Sequence, residues 1–247
     1  MSASAATESL HLQDFSAGYR GVAVVHDVTM HVDAGEVVAL LGPNGAGKTT
    51  TLLTVSGLLP RLGGELRVLG AAQPAGGRRQ NASRTLGLVR RGLAHVPEDR
   101  ALFFGLTGRE HLRLAAHRGD AEAIDLALEP FPALAAIIDR RAGLMSGGEQ
   151  QMLALARALA GRPKLFLIDE LSLGLAPIVV EQLLPLVGRI ARDSGVGVLL
   201  VEQHAHAALA VADRAYIMVR GRIRDSGPAR ELAADAQRLA ATYLGPD

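Results

Sequence analysis

The sequence predicts an α/β fold with a mostly parallel sheet, to which an N-terminal antiparallel β layer and an inserted helical subdomain are added. Three observations lead to this prediction. Short apolar runs alternate with helical patterns, strand-like runs near the N-terminus follow each other without a helix, and residues 83–160 have a helical pattern. The hydrophobic fraction of 49% is sufficient for a globular core of this kind.

The composition narrows the classes of protein to consider. The chain of 247 residues has 26 Lys and Arg against 25 Asp and Glu, and this near-neutral balance argues against a nucleic-acid-binding protein. The absence of Cys excludes disulfides, thiol nucleophiles and Cys-based metal sites. Residues 1–10 lack the pattern of a signal peptide, and no apolar run approaches the ~18 residues of a membrane span. We therefore expect the chain to stay in the cytoplasm.

The parallel sheet is predicted from three apolar runs at residues 37–41, 165–168 and 196–201, which are typical of strands buried on both faces. Helical patterns follow the first two, at residues 49–55 and 178–190. Because ligands bind beyond the carboxyl ends of parallel strands, we expect the polar residues after the three runs to meet at one site. These residues are Gly42, Asp169, Glu170, Glu202, Gln203 and His204.

The two added parts have patterns of their own. Residues 10–15, 22–32 and 64–70 are strand-like runs bounded by Gly and Asp, and they predict the antiparallel layer. In the helical stretch, Thr107 and Glu110 form a capping box, and Gly161 ends the last helix. The predicted division is residues 1–75 for the β layer and first half of the core, 76–160 for the helical subdomain, and 161–247 for the second half of the core with a C-terminal helix.

A phosphate-binding loop is the most specific motif of the chain. Residues 42–49, Gly-Pro-Asn-Gly-Ala-Gly-Lys-Thr, match G-x-x-x-x-G-K-[ST] between a predicted strand and a predicted helix. In this motif the glycines let backbone N–H groups surround a β-phosphate, Lys48 reaches the β and γ oxygens, and Thr49 binds Mg²⁺. The chain has only two lysines, and one occupies this position. The sequence therefore predicts a P-loop NTPase with a RecA-like core.

Two carboxylates and a second glycine-rich loop extend the motif. Asp169 and Glu170 end the second apolar run, and phosphoryl transfer needs one group to hold Mg²⁺ and another to orient the attacking water. We assign the metal role to Asp169 and the base role to Glu170. The second glycine-rich loop, residues 144–150 and called the signature loop below, also precedes a helix and therefore suits an anion. Taken alone, it is more typical of a plain helix N-cap at Ser146.

Together these motifs resemble those of ABC-transporter ATPases, over essentially the whole chain, and most closely the branched-chain amino acid importer type. The resemblance rests on the motifs above and on residues 94–98, 146–153, 172–177, 201–203 and 243–245. It implies that two ATPase subunits enclose two MgATP, each between the phosphate loop of one subunit and the signature loop of the other.

The resemblance also implies roles for single residues. Tyr19 matches the aromatic residue that stacks on adenine, and Glu98 matches the Q-loop position, where an oxygen ligand for Mg²⁺ or its water is available. Gln203 or His204 matches the switch position that contacts the γ-phosphate, and Gln203 fits the spacing better. The predicted nucleotide-binding residues are Tyr19, Gly42, Pro43, Asn44, Gly45, Ala46, Gly47, Lys48, Thr49, Thr50, Ser146, Gly147, Gly148 and Glu149. The predicted Mg²⁺ ligands are Thr49, Glu98 and Asp169, and the predicted catalytic residues are Glu170, Gln203 and His204.

The chain departs from the wider family at Met145, Glu149, Leu171 and Leu175, none of which removes a backbone N–H group or a catalytic carboxylate. We expect these departures to affect the rate of ATP hydrolysis and the communication between the two ATPase subunits, but not the chemistry itself. Phe103 and Phe104 lie beside the Q-loop position, where family members meet the permease, and we expect one of the two in the core.

Other functions fit the sequence less well. A GTPase would need an Asn-Lys-x-Asp motif, but Asn44 and Asn81 are the only asparagines and precede Gly and Ala. A small-molecule kinase leaves the signature loop unexplained. A soluble ABC ATPase of DNA repair or translation would, by family expectation, have coiled-coil insertions or two cassettes in one chain, which this sequence lacks.

We expect an ATPase subunit, with ATP and Mg²⁺, that powers uptake of branched-chain or related hydrophobic amino acids. Its expected partners are polytopic permease subunits, an identical or paralogous ATPase and, indirectly, a solute-binding protein, but no nucleic acid. The expected location is the cytoplasmic face of the inner membrane. An importer of amides, urea or another small solute, and a non-transport ABC ATPase, are the alternatives.

Overall fold

The computed structural model of the chain describes residues 8–75, 81–116 and 120–244. Residues 1–7, in the segment without a signal-peptide pattern, and Gly245, in the resemblance to ABC ATPases, lie outside these described residues. The strands are β1 (Glu8–Tyr19), β2 (Val22–Asp33), β3 (Val37–Leu41), β4 (Arg61–Val68), β5 (Ala71–Ala72), β6 (Leu93–Val96), β7 (Leu165–Asp169), β8 (Gly197–Glu202), β9 (Arg214–Val219) and β10 (Arg222–Pro228). The helices are α1 (Lys48–Val55), α2 (Asn81–Arg90), α3 (Gly108–Ala115), α4 (Ala121–Leu128), α5 (Pro132–Ala135), α6 (Gly147–Ala160), α7 (Pro177–Ser194), α8 (Ala205–Leu209), α9 (Ala229–Ala234) and α10 (Ala236–Leu244). None of these helices combines the length and the apolar character that a membrane span requires.

A six-stranded sheet forms the core, in the order β10-β9-β3-β8-β7-β6. Its strands are parallel except β10, which pairs antiparallel with β9. Every residue of β3, β7 and β8 is buried, as their continuous apolar runs predict. The predicted α/β fold class is confirmed, and the three predicted core strands are observed to within one residue at each end.

The antiparallel layer is a second sheet in the order β2-β1-β4-β5. Side chains of this sheet, among them Phe15 and Met30, share one hydrophobic core with Leu52 of α1 and Leu40 of β3. The opposite face of the parallel sheet packs against the helices in a separate core. Helix α1 therefore lies between the two sheets, and this packing fixes the position of the phosphate loop that precedes it.

Helices α3 to α6 and most of α2 lie in the stretch that the sequence predicts to be helical, residues 83–160. The predicted capping box is present, because Glu110 N–H donates to Thr107 Oγ1 at 3.2 Å and Thr107 N–H donates to Glu110 Oε2 at 2.7 Å. Helix α6 ends at Gly161, as predicted. The helical prediction for residues 83–160 is wrong at β6, which pairs with β7 at the edge of the core sheet. Four residues are too few for their periodicity to separate a strand from a helix.

A half-buried ion pair joins the two sheets. Arg214 on β9 donates to both carboxylate oxygens of Glu36 and, at 3.1 Å, to the carbonyl of His31 on β2. Its guanidinium also lies 5.6 Å from the ring centroid of Tyr216. Burial raises the pKa of Glu36, but hydrogen bonds from Arg214 and from the N–H of Asp33 outweigh burial and hold this pKa below its ordinary value of 4.5.

We expect Glu36→Gln to lower the free energy of unfolding by about 1–2 kcal/mol at pH 7, because it removes one charge of a half-buried bidentate pair. The folded-state pKa of Glu36 is lowered, so its stabilising contribution is present above pH ~4.5 and is lost as the pH falls through the folded pKa. Urea unfolding at pH 7 and at pH 3 measures both effects. Asp27→Asn, in the exposed pair with Arg222, is the control with an effect below ~0.5 kcal/mol. An equal loss for Glu36→Gln at both pH values would contradict this account.

Candidate active site

The carboxyl ends of β3, β7 and β8 meet at a cleft of about 440 Å³. The strand register brings them together, since Leu41 pairs with Glu202 and Asp169 pairs with Val201. The residues that line the cleft are Val24, Asn44, Gly45, Ala46, Gly47, Lys48, Thr49, Thr50, Glu98, Glu170, Leu173 and Gln203. Most of the residues that the sequence predicts for the site therefore share one cavity.

The phosphate loop has a backbone that requires glycine. A Cβ at Gly42 would lie 2.1 Å from the carbonyl oxygen of Met218, which leaves no room for any side chain. Gly45 and Gly47 have φ angles of 78° and 107°, in the region that favours glycine. Because Gly47 is the N-cap of α1, the N–H groups of the first helical turn lack intrahelical acceptors beside the cleft. The loop and the positive end of this helix together suit a phosphate group.

Lys48 is held in place by three oxygen atoms. Its Nζ donates to the carbonyls of Gly42 at 2.8 Å and Pro43 at 3.3 Å, and lies 3.3 Å from Oε1 of Glu170. The side chain is 5% exposed, so its charge lies in a site with little water. A buried ammonium group next to an anion-binding loop is suited to meet the terminal phosphates of a nucleotide.

Asp169 has an unsatisfied carboxylate oxygen. The residue is 2% exposed, and its Oδ1 has no hydrogen-bond partner in the described part of the chain. Burial raises the pKa of Asp169 to about 6; a hydrogen bond from Thr49 opposes this shift, and the charges of Glu170 and Glu98 increase it. A buried oxygen without a partner is costly unless a ligand satisfies it. The Asp169 carboxylate and the Thr49 hydroxyl therefore fit Mg²⁺, which proteins hold with one or two side chains and the substrate phosphates.

Glu170 extends into the cleft directly after Asp169. Its φ of 47° is uncommon for a residue with a side chain, and its N–H donates to the carbonyl of Val201 at 3.0 Å. The carboxylate is 11% exposed and lies beside the Lys48 ammonium. This placement, next to a group suited to the γ-phosphate, is the one that a base for an attacking water requires.

The structure separates the two switch candidates. Gln203 lines the cleft. His204, the next residue, does not line the cleft and is the N-cap of α8, although both side chains are exposed. This geometry favours Gln203 as the residue that contacts a γ-phosphate.

We expect Gln203→Ala to lower kcat for ATP hydrolysis by roughly 10–100-fold, because it removes a donor to the charge that develops on the γ-phosphate. His204→Ala, the matched control on the adjacent residue, should stay within about threefold of wild type. A phosphate-release assay at saturating MgATP measures both. The reverse order of effects would assign the switch role to His204.

Two further predicted residues lie at the rim. The Thr50 hydroxyl is 3.4 Å from the hydroxyl of Tyr19, and Tyr19 is 45% exposed, which leaves its ring open to an adenine base. Glu98 is exposed and lines the cleft. The roles of Tyr19 and Glu98 toward adenine and Mg²⁺ stay predictions.

The signature loop lies outside this cleft. Ser146 is the N-cap of α6, and the loop has a complete capping box, with Ser146 N–H donating to Glu149 Oε2 at 2.6 Å and Glu149 N–H donating to Ser146 Oγ at 3.3 Å. Ser146 is therefore a helix N-cap, and whether the loop also binds an anion stays a prediction. The structure does not bring Ser146, Gly147, Gly148 and Glu149 to the cleft of their own chain. A nucleotide-binding role for them needs a second subunit.

One polar contact beside the cleft was not predicted from the sequence. Ser172 donates its N–H and its hydroxyl to the two carboxylate oxygens of Glu202, at 2.9 Å and 2.6 Å. Glu202 is completely buried at the end of the apolar strand β8, although its side chain is acidic. The signal in the sequence is an acidic residue in a position where burial is expected.

Comparisons with known proteins agree with this geometry. A family model described as ABC transporter matches residues 25–172, more than half of the chain. The chain belongs to the ABC transporter family. It is 42% identical over 226 residues to the high-affinity branched-chain amino acid transport ATP-binding protein BraG of Pseudomonas aeruginosa, covering 89% of this chain and 94% of that protein. It is 34% identical over 250 residues to the lipopolysaccharide export system ATP-binding protein LptB of Escherichia coli K12, covering 97% and 98%.

A solved structure agrees as well. The structure of an ATP binding subunit of an ABC transporter superposes with a TM-score of 0.78 at 30% identity, covering 95% of this chain and 98% of that one. This chain is thus an ATP-hydrolysing ABC cassette with the fold of its family. The region that matches the family model contains the phosphate loop, the signature loop, Asp169 at the end of β7 and Glu170 directly after it.

Proposed function

We propose that this ABC ATPase powers uptake of branched-chain amino acids through a membrane permease, from the cytoplasmic face of the inner membrane. The supporting observation is the 42% identity to BraG over 94% of that protein, whose name states this transport. The LptB similarity, 34% over nearly the whole chain, makes lipopolysaccharide export the second candidate. Importers of amides, urea or another small solute are further alternatives of the same ATPase chemistry.

In the proposed site, the phosphate loop binds the β-phosphate through backbone N–H groups, and Lys48 and Gln203 donate to γ-phosphate oxygens. Thr49 and Asp169 would hold Mg²⁺, with Glu98 as an oxygen ligand for the ion or its water, and the ion would supply positive charge against the phosphate oxygens. Glu170 orients a water molecule and accepts its proton. The water oxygen bonds to the γ-phosphorus as the bond to the β–γ bridging oxygen breaks, which yields ADP and phosphate.

The site of one chain is incomplete in this proposal. The signature loop has helix N-terminal N–H groups suited to an anion but does not line the cleft of its own chain. We propose that Ser146, Gly147, Gly148 and Glu149 complete the site of a second ATPase, identical or paralogous, and that two MgATP are enclosed between the subunits. In this arrangement Glu149 acts by holding Ser146 through the capping box rather than by touching the nucleotide.

The permease contact is proposed beside α2 and β6. Phe103 and Phe104 are 61% and 62% exposed, so the expectation that one of them lies in the core is wrong. Phe103 lines an apolar groove of about 480 Å³ together with Leu58, Val89 and Leu114, which are also exposed. Exposed apolar side chains in a group of this size are typical of a protein contact site.

Purification of the tagged chain from gently solubilised membranes of its native host tests the proposal, with mass spectrometry of the bound proteins. Recovery of polytopic permeases, a second ATPase and a solute-binding protein would support the importer. Recovery of lipopolysaccharide export components would favour the second candidate. Recovery of soluble partners or nucleic acid alone would contradict a transport role and leave the ATPase chemistry in place. Phe103→Asp and Phe104→Asp should weaken permease recovery, whereas Leu126→Asp, at another exposed apolar position, should not.

A further inference from the structure

Glu202 is an acidic residue in an unusual place. It is the last residue of β8 and is completely buried. Both of its carboxylate oxygens accept hydrogen bonds from the same residue, Ser172. No basic side chain of the described residues forms an ion pair with it at 4.0 Å or less. Burying a carboxylate without a cation is costly, so the two hydrogen bonds from Ser172 are what hold it there.

The position of this contact links the two segments that carry the proposed chemistry. Ser172 follows Glu170 by two residues, and Glu202 directly precedes Gln203. The backbone adds a third hydrogen bond between the same segments, from Glu170 N–H to the carbonyl of Val201 at 3.0 Å. The chain after Glu170 is therefore attached to the end of β8 at two successive points.

The attachment acts on a strained backbone. Glu170 has a φ of 47°, which a residue with a side chain adopts only when its surroundings determine it. The bond at its own N–H fixes one side of Glu170, and the Ser172–Glu202 contact fixes the other. The turn then continues to Leu173, which lines the cleft, and to Leu175, whose Cδ2 would lie 3.6 Å from a Cβ added at Gly147, the first residue of α6.

We propose that Glu202 is a positioning residue, which clamps Ser172 so that the Glu170 carboxylate and the Gln203 side chain are held at a fixed separation for hydrolysis. The proposal rests on the roles proposed above for Glu170 and Gln203. Loss of the clamp lets the turn after Glu170 relax, and displacements of about 1 Å at a reacting group are enough to cost up to 10²-fold in rate. The phosphate loop lies on a different strand end, so nucleotide affinity is unaffected.

Steady-state ATPase kinetics of Ser172→Ala, Glu202→Ala, Glu202→Gln and the double variant Ser172→Ala/Glu202→Ala test the clamp. We expect kcat to fall about 10-fold or more in Ser172→Ala and Glu202→Ala, with KM for MgATP within about twofold of wild type. The double variant should be no slower than Glu202→Ala alone, because Glu202→Ala already removes both hydrogen bonds between the two residues. Glu202→Gln should recover kcat to within about threefold, since its amide oxygen accepts from Ser172 N–H and its NH₂ group donates to Ser172 Oγ.

Ser56→Ala is the matched control, because Ser56 is a 2% exposed serine whose hydroxyl donates to the Leu53 carbonyl away from the cleft. Ser56→Ala should lower the melting temperature and leave kcat per folded molecule unchanged. If Ser172 had a purely structural role, Ser172→Ala would give this same result. That outcome would overturn the proposal. A fall in Glu202→Gln as large as in Glu202→Ala would also overturn it, since charge rather than position would then matter.

The design separates this proposal from the proposed catalytic roles. Glu170→Gln is measured in parallel: if it retains turnover, the base role of Glu170 is wrong, whatever the clamp variants show. If Glu170→Gln is inactive and Ser172→Ala keeps wild-type kcat, the clamp alone is wrong. Ser172→Ala removes one hydroxyl and leaves the Ser172 N–H bond to Glu202 in place, so the test stands even if Glu202→Ala does not fold.

Discussion

Glu170→Gln is expected to lower kcat for ATP hydrolysis by roughly 10²–10⁴-fold while MgATP still binds, because a neutral amide cannot accept the proton of the attacking water. The structure supports this separation of effects. The Glu170 carboxylate lies in the cleft, 3.3 Å from Lys48 Nζ, whereas the backbone groups suited to phosphate belong to residues 42–49 on another strand end. Phosphate release gives kcat, and equilibrium dialysis with labelled ATP gives the affinity.

The same variant tests the proposed two-subunit site. With hydrolysis blocked, MgATP should accumulate between two subunits, so Glu170→Gln should elute as a dimer on gel filtration with MgATP and as a monomer without it. Glu65→Gln, at a 61% exposed carboxylate on the antiparallel sheet, is the control and should behave as wild type in both assays. A variant that remains monomeric with bound MgATP would contradict the enclosed-nucleotide arrangement for this chain alone and would point to a paralogous partner.

The parts of the fold and site that are predictable from the sequence have local signals. The core strands need only their own composition to indicate burial on both faces. The phosphate loop depends on consecutive residues, 42–49, and the capping boxes at Thr107 and Ser146 each depend on a residue three positions later. In each case the residues that form the feature are the residues that signal it.

The parts that are not predictable depend on contacts between distant residues. β6 is a strand because β7 pairs with it, and its four residues alone do not show this. Ser172 and Glu202 are 30 residues apart, and nothing in either residue identifies the other as its partner. The choice between Gln203 and His204 is similar, since both follow β8 and only the turn into α8 decides which of them lines the cleft.

Lys48→Ala is expected to have the second large effect, a loss of roughly 10²–10⁴-fold in kcat/KM for MgATP. Lys48 would supply two charge-assisted hydrogen bonds to phosphate oxygens, worth roughly 1.5–3 kcal/mol each, and each ~1.4 kcal/mol corresponds to a tenfold change. Unlike Glu170→Gln, this variant should bind MgATP poorly and should not form the MgATP-dependent dimer. Equilibrium dialysis and gel filtration therefore distinguish the two variants.

The composition of the chain provides the control for Lys48. Lys164 is the only other lysine, and it is exposed just before β7, so Lys164→Ala should keep kcat/KM within about twofold of wild type. Lys48→Arg should fail nearly as badly as Lys48→Ala, because Lys48 is 5% exposed between the carbonyls of Gly42 and Pro43 and a forked guanidinium has a different shape and set of donors. An active Lys48→Arg variant would show that the site needs only a positive charge, whereas an inactive one would show that it needs the single ammonium group that this geometry accommodates.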